Sequence, residues 1–318
     1  MKPIVYLDGS KRKYKGNLHT HSTRSDGQYA PETVIQAYKD RGYDFMCLSD
    51  HEIYWKSDAF DDERFIMLDG YEMACEMSWR ETGQQYHIHG LLDRSLGSSD
   101  EFAHDEEHAK PDYAGLETIQ ALIDEMRAKG NLVILNHPTW SRNEPEDLLQ
   151  LEGYAAVEIY NHQSELDEAV GYGLRHWDYL LARGRKVFGV AADDAHGGPI
   201  DAAVSEFFGG WVAVEADALK QDAVIDAMKA GRYYSSNGPE IRDLRVEDGY
   251  LKVTCSDVKF IKFITHPFNG RTIFNRDASP VREGAFRLDG GEVYVRVECV
   301  DYEGNVAWSN PVFPDDLK

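Results

Sequence analysis

The chain has 318 residues, a formal net charge of −22, twelve histidines and four cysteines. That length accommodates a barrel with a small appendage. Such an acidic chain repels polyanions, which argues against extended DNA or RNA as a partner, although a small anion can be held where metal ions reverse the local sign. No apolar run approaches the roughly 18–20 residues that span a bilayer, so no membrane partner is expected. The opening Met1–Asp8 lacks the apolar core of a signal peptide, and Cys47, Cys75, Cys255 and Cys299 show no C-x-x-C spacing. The expectation is a cytoplasmic protein with reduced thiols.

Along the chain, apolar runs repeatedly end in metal-type residues. The first is Asn17-Leu18-His19-Thr20-His21, followed by Ser22-Thr23-Arg24-Ser25-Asp26-Gly27. On a strand His19 and His21 share a face about 7 Å apart, a spacing that can chelate one ion. Pro31 to Arg41 reads as a helix, with proline near its start and Gly42 past its end. Asp44 to Leu48 then reads as a short buried strand running to Asp50-His51. Leu68-Asp69-Gly70-Tyr71-Glu72 and Tyr86-His87-Ile88-His89 follow. Asp93 to Pro111 is polar and acidic and reads as a long loop. It follows a site strand, so it can also contribute to a pocket rim; its His104 and His108 read as solvated.

Leu116 to Lys129 has helical apolar spacing and stops at Gly130, before the strand Leu132–Leu135 and Asn136-His137. Val157-Glu158-Ile159-Tyr160-Asn161 reads as the next strand end. A helix over Leu166 to Ala182, stopped by Gly184, precedes the strand Lys186–Ala191 and then Asp193-Asp194-Ala195-His196. After Tyr233-Tyr234-Ser235-Ser236-Asn237-Gly238-Pro239 the pattern changes to short alternating strands: 251–254, 260–264 and 293–297. Alternating strands and helices predict a parallel sheet, and near-continuous apolar strands predict cover on both faces. About seven strands can be counted. The expected fold is therefore α/β: a distorted (β/α)7 barrel over residues 1–238, with a small C-terminal antiparallel β-sandwich-like domain over 239–318. In such barrels the chemistry sits at the C-terminal strand ends, where all these motifs fall.

The ordered motifs His-Thr-His-Ser with Asp26 downstream, Ser-Asp-His, Gly-Tyr-Glu, His-Ile-His-Gly, Asn-His-Pro and Asp-Asp-Ala-His resemble the PHP (polymerase and histidinol phosphatase) superfamily over residues 1 to about 236. The segment 233–239 and the closing Ala307-Trp308-Ser309-Asn310-Pro311 resemble its carbaryl hydrolase (CehA/McbA) type branch. The resemblance implies three metal positions. His19, His21, Glu72 and Asp194 would hold one. Glu72 would bridge to a second, with His137 and a histidine from the His87/His89 pair. Asp26, His51 and His196 would hold the third. The motif frame favours His87, leaving His89 as a substrate contact or a packed histidine.

The mixed nitrogen and oxygen ligands suit two to three divalent ions of zinc, manganese or iron. Asp26, Glu72 and His196 are expected at the reacting centre, and Arg24, Arg142 and Asn161 are candidates for substrate contact. Asp193 and Asp50 read as orienting residues, while His162, His176 and His266 have no partner pattern. A hydroxide bridging two metals is a nucleophile at neutral pH. The expected function is thus a metal-dependent phosphoesterase acting on a small phosphorylated metabolite, such as a sugar or nucleotide phosphate. The resembled branch implies an alternative, hydrolysis of a carbamate, ester or amide, which the aromatic residues Trp140, Tyr160 and Trp177 would suit. A non-catalytic binding module is a third reading. The partner expected is a small anionic substrate; the oligomeric state is left open.

Overall fold

The computed structural model describes residues 3–76, 83–96, 102–267 and 270–317. Its first half contains β1 (Ile4–Leu7), β2 (Tyr14–Asn17), α1 (Pro31–Asp40), β3 (Phe45–Met46), β4 (Ile66–Met67), β5 (Gly70–Glu76), β6 (Gln85–Leu92), α2 (Leu116–Ala128), β7 (Asn131–Leu135), α3 (Pro145–Gln150) and β8 (Ala156–Asn161). The second half contains α4 (His162–Glu168), α5 (Leu174–Leu181), β9 (Phe188–Ala192), β10 (Trp211–Val214), α6 (Gln221–Lys229), β11 (Tyr233–Ser236) and the strands β12 (Ile241–Glu247), β13 (Tyr250–Val258), β14 (Phe260–His266), β15 (Arg271–Ile273), β16 (Val281–Arg287), β17 (Tyr294–Val300) and β18 (Val306–Ser309).

The fold is mixed α/β, with three sheets among the described residues. Their orders are β1-β12-β13-β16, β15-β14-β17-β18-β11-β10-β2-β3-β4 and β5-β6-β7-β8-β9. Among the described residues the ladders do not close into the expected (β/α)7 barrel, even in its distorted form. β2-β3-β4 and β7-β8-β9 are parallel as predicted, but β5, β6 and β7 run antiparallel. Between β5 and β6 lies only the segment 77–84, shorter than the dozen or so residues a parallel crossover needs. Isolated parallel bridges, His51 to Glu72 and Thr20 to Ala195, join the second and third sheets beside the functional residues.

The helix predicted over Leu166 to Ala182 is broken. α4 ends with Ala169 in the left-handed region at φ 57°, and α5 starts at Leu174. Between them the backbone docks on β8: Asn161 N donates to Gly171 O and Gly173 N to Ile159 O, both at 2.9 Å. A Cβ on Gly171 would lie 2.3 Å from Asn161 O, so the close approach requires glycine.

The ladders run through the boundary expected at 238/239. β18 pairs with β11, and β1 pairs with β12. Asn310 accepts from Gly189 N at 3.1 Å and donates to Gly231 O and Tyr233 O. Trp308 stacks on Tyr160 with ring centroids 5.6 Å apart. Residues 241–299 share an apolar core between the four-stranded sheet and the C-terminal part of the nine-stranded one, including Leu251, Val253, Phe263 and Val297. Cys255 and Cys299 lie in this core as free thiols, like Cys47 and Cys75 elsewhere. No helix among the described residues is long and apolar enough to cross a membrane.

Candidate metal centre

The strand ends converge on one buried carboxylate. Glu72, in β5, is fully buried. Its Oε2 lies 3.1 Å from His19 Nε2, 3.3 Å from His21 Nε2 and 3.3 Å from His51 Nδ1. Its Oε1 lies 3.3 Å from His87 Nδ1 and 3.5 Å from His137 Nε2, and accepts from Asn136 Nδ2 at 2.6 Å. Five imidazoles thus crowd one side chain. Asp194 Oδ1 approaches His19 and His21 at 3.0 and 3.1 Å, and its Oδ2 accepts from Asn161 at 2.9 Å.

Among the described residues four overlapping groups have ligand atoms within 4.8 Å of one another: His19, His21, Glu72, Asp194; His21, Asp26, His51, His196; His51, Glu72, His87; and His19, His137, Glu158. The first corresponds to the first ion position the sequence implied. The second adds His21 to the third. The remaining two divide the expected middle position differently, bringing in His51 and Glu158. His87 falls within a group and His89 does not. His89 points to the same face of β6 but lies deeper, edge-on to His19 with centroids 5.6 Å apart.

These side chains fit divalent cations better than they fit one another. His19 Nε2, His51 Nδ1 and Glu72 Oε2 are buried without a hydrogen-bond partner, although they stand within bonding distance of opposite groups. The distances are right for hydrogen bonds and the angles are wrong. An unpaired buried polar atom costs about 1–3 kcal/mol, so three in one cluster call for a ligand they can share. Imidazole and carboxylate without thiolate form a donor set of the zinc, manganese or iron type.

The protonation balance of these side chains, taken without an ion, is uneven. Burial lowers the His21 imidazole, but Asp194 and Glu72 outweigh it and push it up to about 10. His51 falls to about 3, chiefly through burial. Burial would raise the Glu72 carboxyl, yet His19, His51 and His87 hold it well below the usual range. Asp26, half-exposed at the pocket edge, is likewise held low against burial, by His196 and His21.

Local backbone strain aims several of these groups. His137 and Asp194 adopt φ of 21° and 57°, and Glu52, next to His51, has φ 58°. Left-handed conformations are costly for such residues and persist where the surroundings enforce them. Asp50 fixes the loop after His21 by accepting from Ser22 N, Ser22 Oγ and Ser25 Oγ. Asp193 points away from the cluster and accepts from Tyr38 Oη, Phe208 N and Gly210 N.

The cluster floors a pocket of about 570 Å³ lined also by Ser25, Glu52, Gln85, Lys110, Trp140 and Gln163. Arg24, Arg142, His89 and Asn161 are absent from that lining. Arg24 is held away from the pocket, largely buried, by an ion pair with Asp105 and a 3.1 Å bond to Tyr54 O. Arg142 donates to Gly83 O at 3.3 Å. The Asn161 carboxamide is consumed internally, bonding Glu158 and Asp194 and capping α4 through Ser164 N. Tyr160 and Trp177 are core residues. The acidic loop, of which residues 97–101 lie outside the described residues, does supply part of the rim through Lys110.

Sequence reasoning left the pocket roles of Lys110, Gln85 and Gln163 unassigned and noted Glu158 only as a strand end. Glu158 had a signal: it is a lone carboxylate inside the otherwise apolar run Ala155–Tyr160.

A mixed α/β fold whose strand ends gather histidines and carboxylates into overlapping ion-sized clusters defines a class of metal-binding proteins. No family model and no curated protein matches the chain. Among solved structures the chain is similar to a two-domain protein from Bacteroides vulgatus that contains a predicted PHP-like metal-dependent phosphoesterase, with a TM-score of 0.51 and 15% identity over 96% of each chain. An amidohydrolase from Chromobacterium violaceum, with bound sulfate and no metal, gives a TM-score of 0.41 at 18% identity over 60% of this chain and 90% of that one. A Bifidobacterium adolescentis protein, whose name assigns it to the metal-dependent phosphoesterases, gives 0.41 at 13% over 68% of this chain and 96% of that one. At these identities the first likeness is one of fold, and the other two carry no weight.

Proposed function

We propose that this chain is a metal-dependent hydrolase of the PHP type, cleaving phosphate esters of small metabolites. The observation that carries the reading is the Glu72 centre: five imidazoles and a second carboxylate around one buried carboxylate, with ligand atoms left unpaired. The fold likeness to a protein named for PHP-like phosphoesterase activity supports it.

His19, His21, Glu72 and Asp194 would hold one divalent ion, Asp26, His51 and His196 another, and His87 and His137 would join Glu72 at the middle position. Such ions lower the pKa of water and polarise phosphoryl oxygens. The chain's own part is positional. Glu72, buried and held ionised, cannot swing away; Asn136 pins its Oε1. Asp26 and His196 stand at the open edge of the pocket, His196 Nε2 3.6 Å from Asp26 Oδ2, where a leaving oxygen can collect a proton from solvent.

Protein loaded with zinc, manganese or iron should release phosphate from a sugar or nucleotide phosphate, and Glu72→Ala should abolish turnover. A fully metallated preparation inactive on a broad panel of mono- and diesters would sink this reading. One observation favours a second reading, hydrolysis of an aryl carbamate or ester as in the carbaryl hydrolase branch. Trp140 lines the pocket, and Lys110 is the one lysine or arginine in that lining among the described residues. Turnover of an aryl carbamate with none of any phosphoester would select it.

A further inference from the structure

Resting on the phosphoesterase reading, we propose that Lys110 and Trp140 are the recognition pair of the pocket, selecting phosphate esters that carry an aromatic or heteroaromatic group. Lys110 meets an anionic oxygen of the phosphate and Trp140 meets the ring.

Lys110 reaches the pocket from an acidic loop anchored by the buried Phe102, whose ring stacks on Tyr54 with centroids 4.1 Å apart. Residues 103–108 run antiparallel to residues 52–55: Ile53 bridges Glu107, Tyr54 N donates to Glu106 O at 2.8 Å, and His108 N donates to Glu52 O at 2.7 Å. Arg24 latches this strap. Its guanidinium pairs with Asp105, donates to Tyr54 O and lies 5.1 Å above the Trp55 ring. The arginine of the first motif loop is therefore a positioning residue for the loop that delivers Lys110. The Lys110 ammonium stands 3.9 Å from Glu52 Oε1, one residue past His51. An ammonium on that wall supplies a cation apart from any ion held below, and this suits a phosphate with several charged oxygens.

Trp140 is fixed at both ends. Its Nε1 donates to Glu168 Oε1 at 3.1 Å, and its ring packs edge-to-face on His137 and His87, with centroids 4.9 and 5.6 Å away. It is only partly buried, so an immobilised indole borders the open pocket beside two cluster histidines. A rigid aromatic wall binds a planar group with little loss of conformational freedom.

The test is calorimetric titration of the manganese-loaded protein with phenylphosphonate and methylphosphonate, neither of which can be hydrolysed as an ester. Wild type should bind phenylphosphonate more tightly. Lys110→Ala should weaken both ligands about tenfold, the loss of one charge-assisted hydrogen bond, while Lys110→Arg should retain most affinity. Arg24→Ala should weaken both in the same way. Trp140→Ala should erase a preference of about 3- to 10-fold for the phenyl ligand, and Trp140→Phe should keep it. Equal binding by wild type, Lys110→Ala and Trp140→Ala at unchanged metal content overturns the proposal and leaves the phosphoesterase reading standing. Wild type that binds neither phosphonate also overturns it, and the ester panel decides the broader reading separately.

Discussion

Glu158 Oε1 lies 3.0 Å from His19 Nδ1, on the side of the imidazole away from Glu72. Its other oxygen accepts from His137 N at 2.8 Å and from Asn161 Nδ2 at 2.9 Å. One fully buried side chain in β8 thus orients two cluster histidines and, through Asn161, the carboxylate of Asp194. A carboxylate bonded to the far nitrogen of a ligating histidine fixes its tautomer and raises its basicity.

Glu158→Gln should therefore weaken metal binding without unfolding the protein. An amide nitrogen cannot accept, so either the His19 or the His137 contact is lost. The expected loss is about 10- to 100-fold in metal affinity. Competition with a chromogenic chelator would measure it, and wild-type affinity in Glu158→Gln would refute the orienting role.

Metal loading should stabilise the fold through the same cluster. At about 100-fold excess over its Kd, an ion bound only by the native state adds about 2.7 kcal/mol, an increase of several degrees in Tm. Differential scanning fluorimetry with manganese, and then with excess chelator, should show the rise and its reversal. Glu72→Ala should cut the shift to the part that the Asp26, His51 and His196 position alone supplies, because the other two proposed ion positions share its carboxylate.

The motifs carrying this site were legible because chemistry imposes residue type. His19, His21, His51, His137, Asp194 and His196 come together from the segments that follow β2, β3, β7 and β9, as the alternation of apolar runs and polar stops indicated, whereas Glu72 and His87 reach the cluster from within β5 and β6. Their partition into groups was less legible, since the reach of His51 toward both Asp26 and Glu72 depends on a bridge no local pattern encodes. The strand–helix alternation expected of a distorted barrel breaks at β5–β6, where a short connection dictates antiparallel pairing. The helix over Leu166 to Ala182 failed because Gly171 and Gly173 dock on β8, a tertiary event that overrides helical spacing. Arg24 was misjudged for a similar reason: its partner Asp105 lies far along the chain, in a loop with no periodicity to place it.

Asp69 gives a pH dependence away from the cluster. Burial lifts its carboxyl to about 6, with Arg94 opposing. A folded pKa above the unfolded value near 4 means the native state holds the proton more tightly. Stability from this group is fully present below pH 4 and is lost as pH rises to about 6. Asp69→Asn should raise stability by about 1–3 kcal/mol above pH 6 and change little below pH 4. Urea denaturation at pH 4 and pH 7.5 measures both arms, and an equal effect at the two values would contradict the assignment.

Gly173 links backbone packing to the metal centre. It precedes α5, and a Cβ there would lie 2.4 Å from the carbonyl oxygen of Glu158. That oxygen is backbone and cannot rotate aside, so Gly173→Ala must push β8 and α5 apart. Overpacking of this kind costs about 1–3 kcal/mol. Because the displaced residue is the one that orients His19, the variant should lose metal affinity together with Tm. Gly291→Ala is the control: nothing lies within 4 Å of its Cβ position, and both properties should stay at wild-type values. A fall in Tm for Gly173→Ala with metal affinity intact would separate the packing of β8 from the orientation of His19 and remove Glu158 from the path between them.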